Sequence, residues 1–181
     1  MRSHDAYIEA VSLSPRHGFS KQPQPSIHLL AGLGVQGDAH CGATMQHVYL
    51  KRRDPAAPNH MQVHLLQAEL LEELAAKGFH IGHGQLGENI LTRGVDLLAL
   101  SQGTELRLGD HAVLRLTCLR EPCAQIERFR PGLQREMYGA PGDAARYRIG
   151  VMAVVLTGGP VAAGDAITVT PRVGPHVALT A

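Results

Sequence analysis

The residues with the clearest chemical potential in this chain are those of Leu119-Arg120-Glu121-Pro122-Cys123-Ala124-Gln125-Ile126, where a thiol follows a proline at the end of an apolar stretch. Val113 to Leu119 alternates in the period of a half-buried strand. Proline fixes φ and has no N–H to donate, so that ladder cannot run past Pro122. Cys123 is therefore predicted at the exit of a strand, on a bend, with Arg120 and Arg128 near it in sequence. The thiolate is the form of cysteine that attacks an electrophile or ligates a metal, and neighbouring cations favour it. A free cysteine is also a small apolar residue that cores commonly bury, so residue type alone leaves both readings open.

Around this thiol, residues 115 to 148 hold seven arginines (115, 120, 128, 130, 135, 146 and 148) against four acids (Glu121, Glu127, Glu136 and Asp143). Guanidinium forks suit phosphate oxygens, which makes an anionic cofactor beside Cys123 chemically reasonable; the alternative is a solvated loop paired with its own glutamates. Gly84-Gln85-Leu86-Gly87-Glu88-Asn89-Ile90 presents an acid and an amide on a glycine-rich turn. Exposed N–H groups of such a turn can hold a phosphate, and Asn89 can equally close an Asx turn. Gly32-Leu33-Gly34-Val35-Gln36-Gly37 matches the dinucleotide fingerprint in letters, but Asp38-Ala39-His40-Cys41-Gly42 after it shows no helical period. These glycines are read as turn formers. His60 and His64 stand four apart without the glutamate of a zinc protease, and His40, His47 or His64 with Cys123 could surround zinc or iron.

The elements that must position these groups are mostly strands. Residues 6 to 13 suit a first strand, and 26 to 31 a short one ending in the glycine turn. Residues 104 to 108 and 111 to 119 flank Gly109-Asp110 as a two-residue hairpin, and 150 to 156 and 166 to 170 look similarly paired across Gly158-Gly159-Pro160 and Gly164-Asp165. Val63, Leu66, Leu70 and Leu74 recur at helical spacing opposite Glu69, Glu72 and Glu73, predicting one prominent helix near residues 62–77 that Gly78 caps. Two short helices are expected between 124 and 148, and the basic, proline-bearing 51 to 59 reads as loop. Short strands punctuated by turns favour a mainly β, barrel-like fold over a parallel α/β sheet.

At 181 residues the chain suits a single domain, 1–181. Aromatic content of 4%, no Trp and a net charge of +1 argue against nucleic acid or anionic membrane as partners. Three cysteines without a Cys-x-x-Cys pair offer no disulfide framework, and with no apolar leader or membrane-length run a cytoplasmic location is expected.

In combination, Gly37-Asp38-Ala39-His40, Gly87-Glu88-Asn89-Ile90, Gly109-Asp110, Arg120-x-Pro122-Cys123 and Gly150 to Val155 through Gly164-Asp165 resemble a stand-alone MOSC domain, the type named for the C-terminal domain of molybdenum cofactor sulfurase. The resemblance runs from the first strand to about Val169. It implies a MOSC-like β-barrel and a molybdopterin-type molybdenum cofactor whose metal takes the Cys123 thiolate, with Cys123 as the catalytic position. Arg120 with Gly87, Glu88 and Asn89 would line the cofactor pocket, and Asp38 and His40 would stand near its mouth. The activity implied is an oxidoreductase that removes oxygen from small N-hydroxylated substrates, supplied with electrons by a separate donor protein. A sulfur-carrier role, through a persulfide on Cys123, and a non-catalytic cofactor-binding role are the other readings. The chain has His40-Cys41-Gly42 where related proteins carry His-His-Gly, which removes the second histidine.

Overall fold

The computed structural model describes residues 6–143 and 145–181. In chain order the strands are β1 (Tyr7–Leu13), β2 (Gln22–Gln24), β3 (Ser26–Leu30), β4 (Gly34–Val35), β5 (Val63–Gln67), β6 (Ile90–Arg93), β7 (Glu105–Leu108), β8 (Ala112–Leu119), β9 (Val151–Thr157), β10 (Gly159–Ala162) and β11 (Ile167–Thr170). The helices are α1 (Val48–Arg53), α2 (Ala68–Ala76), α3 (Ala124–Phe129) and α4 (Leu133–Glu136). Eight strands form one sheet in the order β11-β7-β8-β9-β5-β6-β1-β2, and β10-β3-β4 form a second.

The fold is mainly β, as expected, but the large sheet does not close into a barrel. Its ladder ends on β11 and β2; a single bridge, Tyr7 to Ala166, ties β1 to the residue before β11. Leu106, Leu114, Val151, Val155 and Ile27 belong to a core cluster that reaches from the large sheet to the small one. A second cluster packs Leu66, Leu91 and Ile149 against Leu70 and Leu74 of α2, Ile126 of α3 and Leu133 of α4.

The helix expected over 62–77 is instead strand β5 followed by α2. Leu65 belongs to the first cluster and Leu66 to the second, so β5 is apolar on both faces and lacks the alternation that marks a half-buried strand. Its apolar residues run into those of α2 and imitate one long helical stripe. The parallel β5–β6 pair requires a crossover, which α2 supplies.

Two turn readings also change. The β7–β8 hairpin pairs Leu108 with Ala112, leaving a three-residue loop, Gly109 to His111, rather than two residues. β9 and β11 do not pair with each other, because the glycine-proline stretch between them is strand β10, paired to β3. Within the basic stretch read as loop, residues up to Arg53 form the end of α1.

Gly150 opens β9 at φ +89°, and a Cβ there would run into the backbone oxygen of Leu65 and come within 3.0 Å of His64 Nε2. Gly78 has nearly the same φ, +90°, with nothing within 4 Å. Gly78→Ala is expected to cost about 1–2 kcal/mol from the left-handed backbone alone. Gly150→Ala should cost roughly 1–3 kcal/mol more, since backbone must move to admit the methyl. Urea midpoints of the two variants, with unchanged m-values, measure that difference.

Candidate functional site

β8 ends at Leu119, Arg120 N–H still donates to Gly150 O at 3.0 Å, and Pro122 then stops the pairing. Cys123 sits on the bend as the residue before α3, half-buried, its Sγ 3.7 Å from Gln125 Oε1. This is the strand-exit position that the sequence predicts. The thiol lies in the wall of a cavity of about 410 Å³. Arg120, Gly87, Asn89 and His40 of the predicted set line the same cavity, together with Phe19, Lys21, Gln62, His64 and Met152.

Beneath the cavity lies a buried polar network. The Asp38 carboxylate accepts from Ser14 N–H at 3.1 Å, from His40 N–H at 2.9 Å, from Asn89 Nδ2 at 3.2 Å and from the ammonium of Lys21. His40 Nδ1 stands 3.2 Å from Asp38 Oδ1. Burial pushes the Asp38 carboxyl up, but the His40 hydrogen bond and the Lys21 charge outweigh it and hold the group well below the usual carboxylate range. Burial pulls Lys21 down from its ordinary value, partly offset by Asp38. Asp38 thus supports the cavity from behind, fixing Lys21, His40 and Asn89, rather than lining it.

Asn89 is a structural cross-link. Its Oδ1 accepts from His64 N–H at 3.2 Å, its N–H donates to His64 O at 2.9 Å, and its Nδ2 also donates to Ser12 O at 3.1 Å. Arg120 donates through Nη1 to Leu86 O and to His64 Nδ1, the latter at 3.2 Å. Since a guanidinium only donates, His64 Nδ1 must accept, and Nε2–H donates to Ile149 O at 2.7 Å. Burial and the Arg120 charge hold the His64 imidazole well below its ordinary value, consistent with this neutral tautomer. Both its nitrogens are committed, so His64 is not free to ligate zinc or iron. His60 is exposed, and among the described residues no group of three or more His, Cys, Asp or Glu is placed to hold a metal ion.

Glu88 departs from its expected place. It is 1% exposed, turned away from the cavity, and accepts through Oε1 from Gly84 N–H, which closes the glycine turn. Its Oε2 is buried without a partner among the described residues. Gly87 is required by close packing, for a Cβ there would stand 2.5 Å from Phe19 O. The arginine-rich stretch likewise disperses. Arg115 pairs with Glu105, Arg135 with Glu136 and Arg148 with Glu73, while Arg130 and Arg146 lie over Phe129 and Tyr147. Of the seven, Arg120 alone lines the cavity.

Lys21, Gln62 and His64 were not singled out as pocket residues by sequence, apart from His64 as a metal candidate. Lys21 sits in loop composition, 17 residues from Asp38, and Gln62 just precedes an apolar run. No local signal marks either, because pairings distant in sequence bring them to the cavity.

Burial pushes the Glu88 carboxyl up to about 6 from 4.5, against its backbone hydrogen bonds and the Arg120 charge. The native state therefore binds the proton more tightly than the unfolded chain, so this group's contribution to stability falls as pH rises from about 4.5 to about 6 and stays low above that. In Glu88→Gln this step is expected to vanish, leaving the variant gaining on wild type by ~2 kcal/mol across the window. Urea unfolding of both proteins at pH values from 4.5 to 7.5 measures it.

A family model described as the MOSC domain matches residues 38–168. No curated protein matches the chain. Among solved structures, the YuaD protein of Bacillus subtilis is similar at 24% identity and TM-score 0.74, over 92% of this chain and 96% of that one. YiiM of Geobacillus stearothermophilus is similar at 14% identity and TM-score 0.69, over 96% and 80%. YiiM of Escherichia coli is similar at 16% and 0.62, over 94% and 72%. At these identities the three structures attest the fold, and no helix among the described residues is long and apolar enough to cross a membrane. The matched segment includes Asp38, the Gly87-Glu88-Asn89 turn, Arg120 and Cys123, and by that match the chain belongs to the MOSC domain family.

Proposed function

We propose that this protein is a molybdenum-cofactor-dependent oxidoreductase that reduces N-hydroxylated compounds, with the Cys123 thiolate as the metal's protein ligand. The observation that supports it most is the cavity's donor set: one thiol in the wall of a 410 Å³ cavity that also presents Arg120 and Lys21, while His40, His47, His64 and Glu121 of the same lining form no group of three placed to hold a metal ion among the described residues. A dedicated zinc or iron site needs three or four protein ligands, whereas a pterin-held metal receives sulfur from its own dithiolene and needs a single soft protein donor. The cavity volume falls within the usual range for small-molecule and cofactor sites. The residues present therefore fit the group.

The bound cofactor would supply the two-electron removal of oxygen from N–OH. The chain's own part is binding and orientation. Cys123, fixed by Pro122 and the start of α3, would present its sulfur at one position on the wall. Arg120 is held through Nη1 by Leu86 O and His64, and neither Nε nor Nη2 has a protein partner among the described residues, so both remain available for an anionic group. Asp38, kept ionised by its donors, holds the His40 ring at the cavity edge. A persulfide on Cys123 is the competing chemistry, since the same half-exposed thiol can carry sulfur without metal.

Protein purified from a host that makes the molybdenum cofactor is expected to contain molybdenum and, with a chemical reductant, to convert an N-hydroxylated amidine to the amidine. Cys123→Ala should lose both metal and activity while keeping its circular dichroism and urea midpoint. Equal metal content in wild type and variant would reject the reading, and a cyanide-labile persulfide without reductase activity would replace it with sulfur transfer. Arg120→Ala is expected to lower pterin occupancy by about ten- to a hundredfold relative to Arg107→Ala, whose side chain is exposed on β7. Fluorescence of the released, oxidised pterin measures that ratio.

A further inference from the structure

The helix α1 stands apart from the other elements. None of its residues is buried, its first turn has no side-chain cap, and its last turn is Lys51, Arg52 and Arg53. Val48 and Tyr49 are 45% and 62% exposed. The Arg53 guanidinium lies 5.9 Å from the centre of the Tyr49 ring, and Lys51 donates to Gln46. None of the three cations meets a carboxylate among the described residues. Several exposed cations elsewhere are paired, Lys77 with Glu136, Arg93 with Glu9 and Glu72, Arg115 with Glu105 and Arg148 with Glu73, and others such as Arg16 and Arg107 stand singly among the described residues, whereas α1 sets three unpaired cations side by side. Tyr49 and Arg53 also line the Cys123 cavity, so α1 forms part of its rim.

We infer that α1 is the docking surface for an acidic one-electron carrier protein, seated over the mouth of the Cys123 cavity. The inference rests on the proposed reductase reading, which requires two electrons for each N–O bond broken: R–NH–OH plus two electrons and two protons gives R–NH2 plus water. Exposed aromatic and arginine side chains are what protein contacts favour. The size of the patch selects among anionic partners. Nucleic-acid affinity is built from six to ten phosphate contacts. Membrane attraction grows by only about 1 kcal/mol per basic residue, so three cations hold weakly to either. Transient electron-transfer complexes use small contacts and are steered by local charge, which three unpaired cations provide on a chain of net charge +1. The weak anchoring of α1 also lets it adjust when the carrier docks.

The test compares wild type, Lys51→Glu/Arg52→Glu and, as a control with the same charge change, Arg107→Glu/Arg172→Glu. Neither pair includes a cavity residue. An acidic plant-type ferredoxin and an acidic flavodoxin serve as donors, with a basic cytochrome c as the mismatched carrier. With dithionite all three proteins should reduce the N-hydroxylated substrate equally. With the acidic donors at low salt, KM for the donor should rise roughly tenfold or more in the α1 pair and little in the control, and its salt dependence should flatten. Carbodiimide cross-linking of donor carboxylates, which needs no turnover, should map to Lys51. Equal donor KM in the two variant pairs, cross-links at other lysines, or preferential binding of α1 to anionic vesicles or an oligonucleotide would each overturn the docking inference. Failure of the dithionite reaction alone, with cross-links still at Lys51, would reject the reductase reading and leave the surface standing.

Discussion

A carboxylate in a protein interior stays charged only if donors surround it, and the ring of donors on Asp38 organises this site. Five contacts reach its two oxygens, from Ser14, Lys21, His40 twice and Asn89. They draw together the chain after β1, the loop before β2, the turn after β4 and the turn before β6. Removing any one donor would leave a buried charge partly unsatisfied, which costs more than the contact itself contributes. The arrangement therefore specifies positions more than it adds stability. Three of the four donor residues, Lys21, His40 and Asn89, also line the cavity.

The cavity wall on the other side is built on the same logic with a cation. Arg120 follows β8 directly, and its guanidinium is turned inward by Leu86 O and the neutral His64 ring. His64 can do this because β5 is buried on both faces and its imidazole hydrogen-bonds Ile149 just before β9. Gly150, in the left-handed region where a side chain would strike β5, lets the two strands approach this closely. Anionic and cationic halves thus meet through Asn89, which hydrogen-bonds both Asp38 and the His64 backbone.

The sequence made some of this readable and hid the rest for identifiable reasons. Strand alternation before Pro122 located Cys123 correctly, because proline's missing N–H is a local property that tertiary packing cannot override. Mainly β architecture was equally legible from short strands and glycine turns. Of the helix expected near 62–77 the structure has 68–76; the part before it is β5, which serves two cores and shows no alternation, so its apolar run merges with that of α2. Glu88 looked like a pocket acid, yet it is turned inward and accepts from Gly84 N–H, a contact four residues away that residue types alone do not reveal. Lys21 gave no sign at all, since its partner lies 17 residues on and its neighbours are loop formers.

The contrast between the two sides of the cavity bears on how a MOSC-type site can be both specific and accessible. The inner wall is locked by charge-assisted hydrogen bonds among buried groups, which resist rearrangement because any shift would strand a charge. The outer rim at α1 has no buried side chain, and Leu50 and Arg53, which line the Cys123 cavity, also border another of about 350 Å³. Little apolar area would be lost if α1 moved, so local opening there costs far less than disturbing the inner wall. A rigid thiol position and a yielding rim are compatible because they belong to different segments, one tied to the sheet and the other joined to it only through loops.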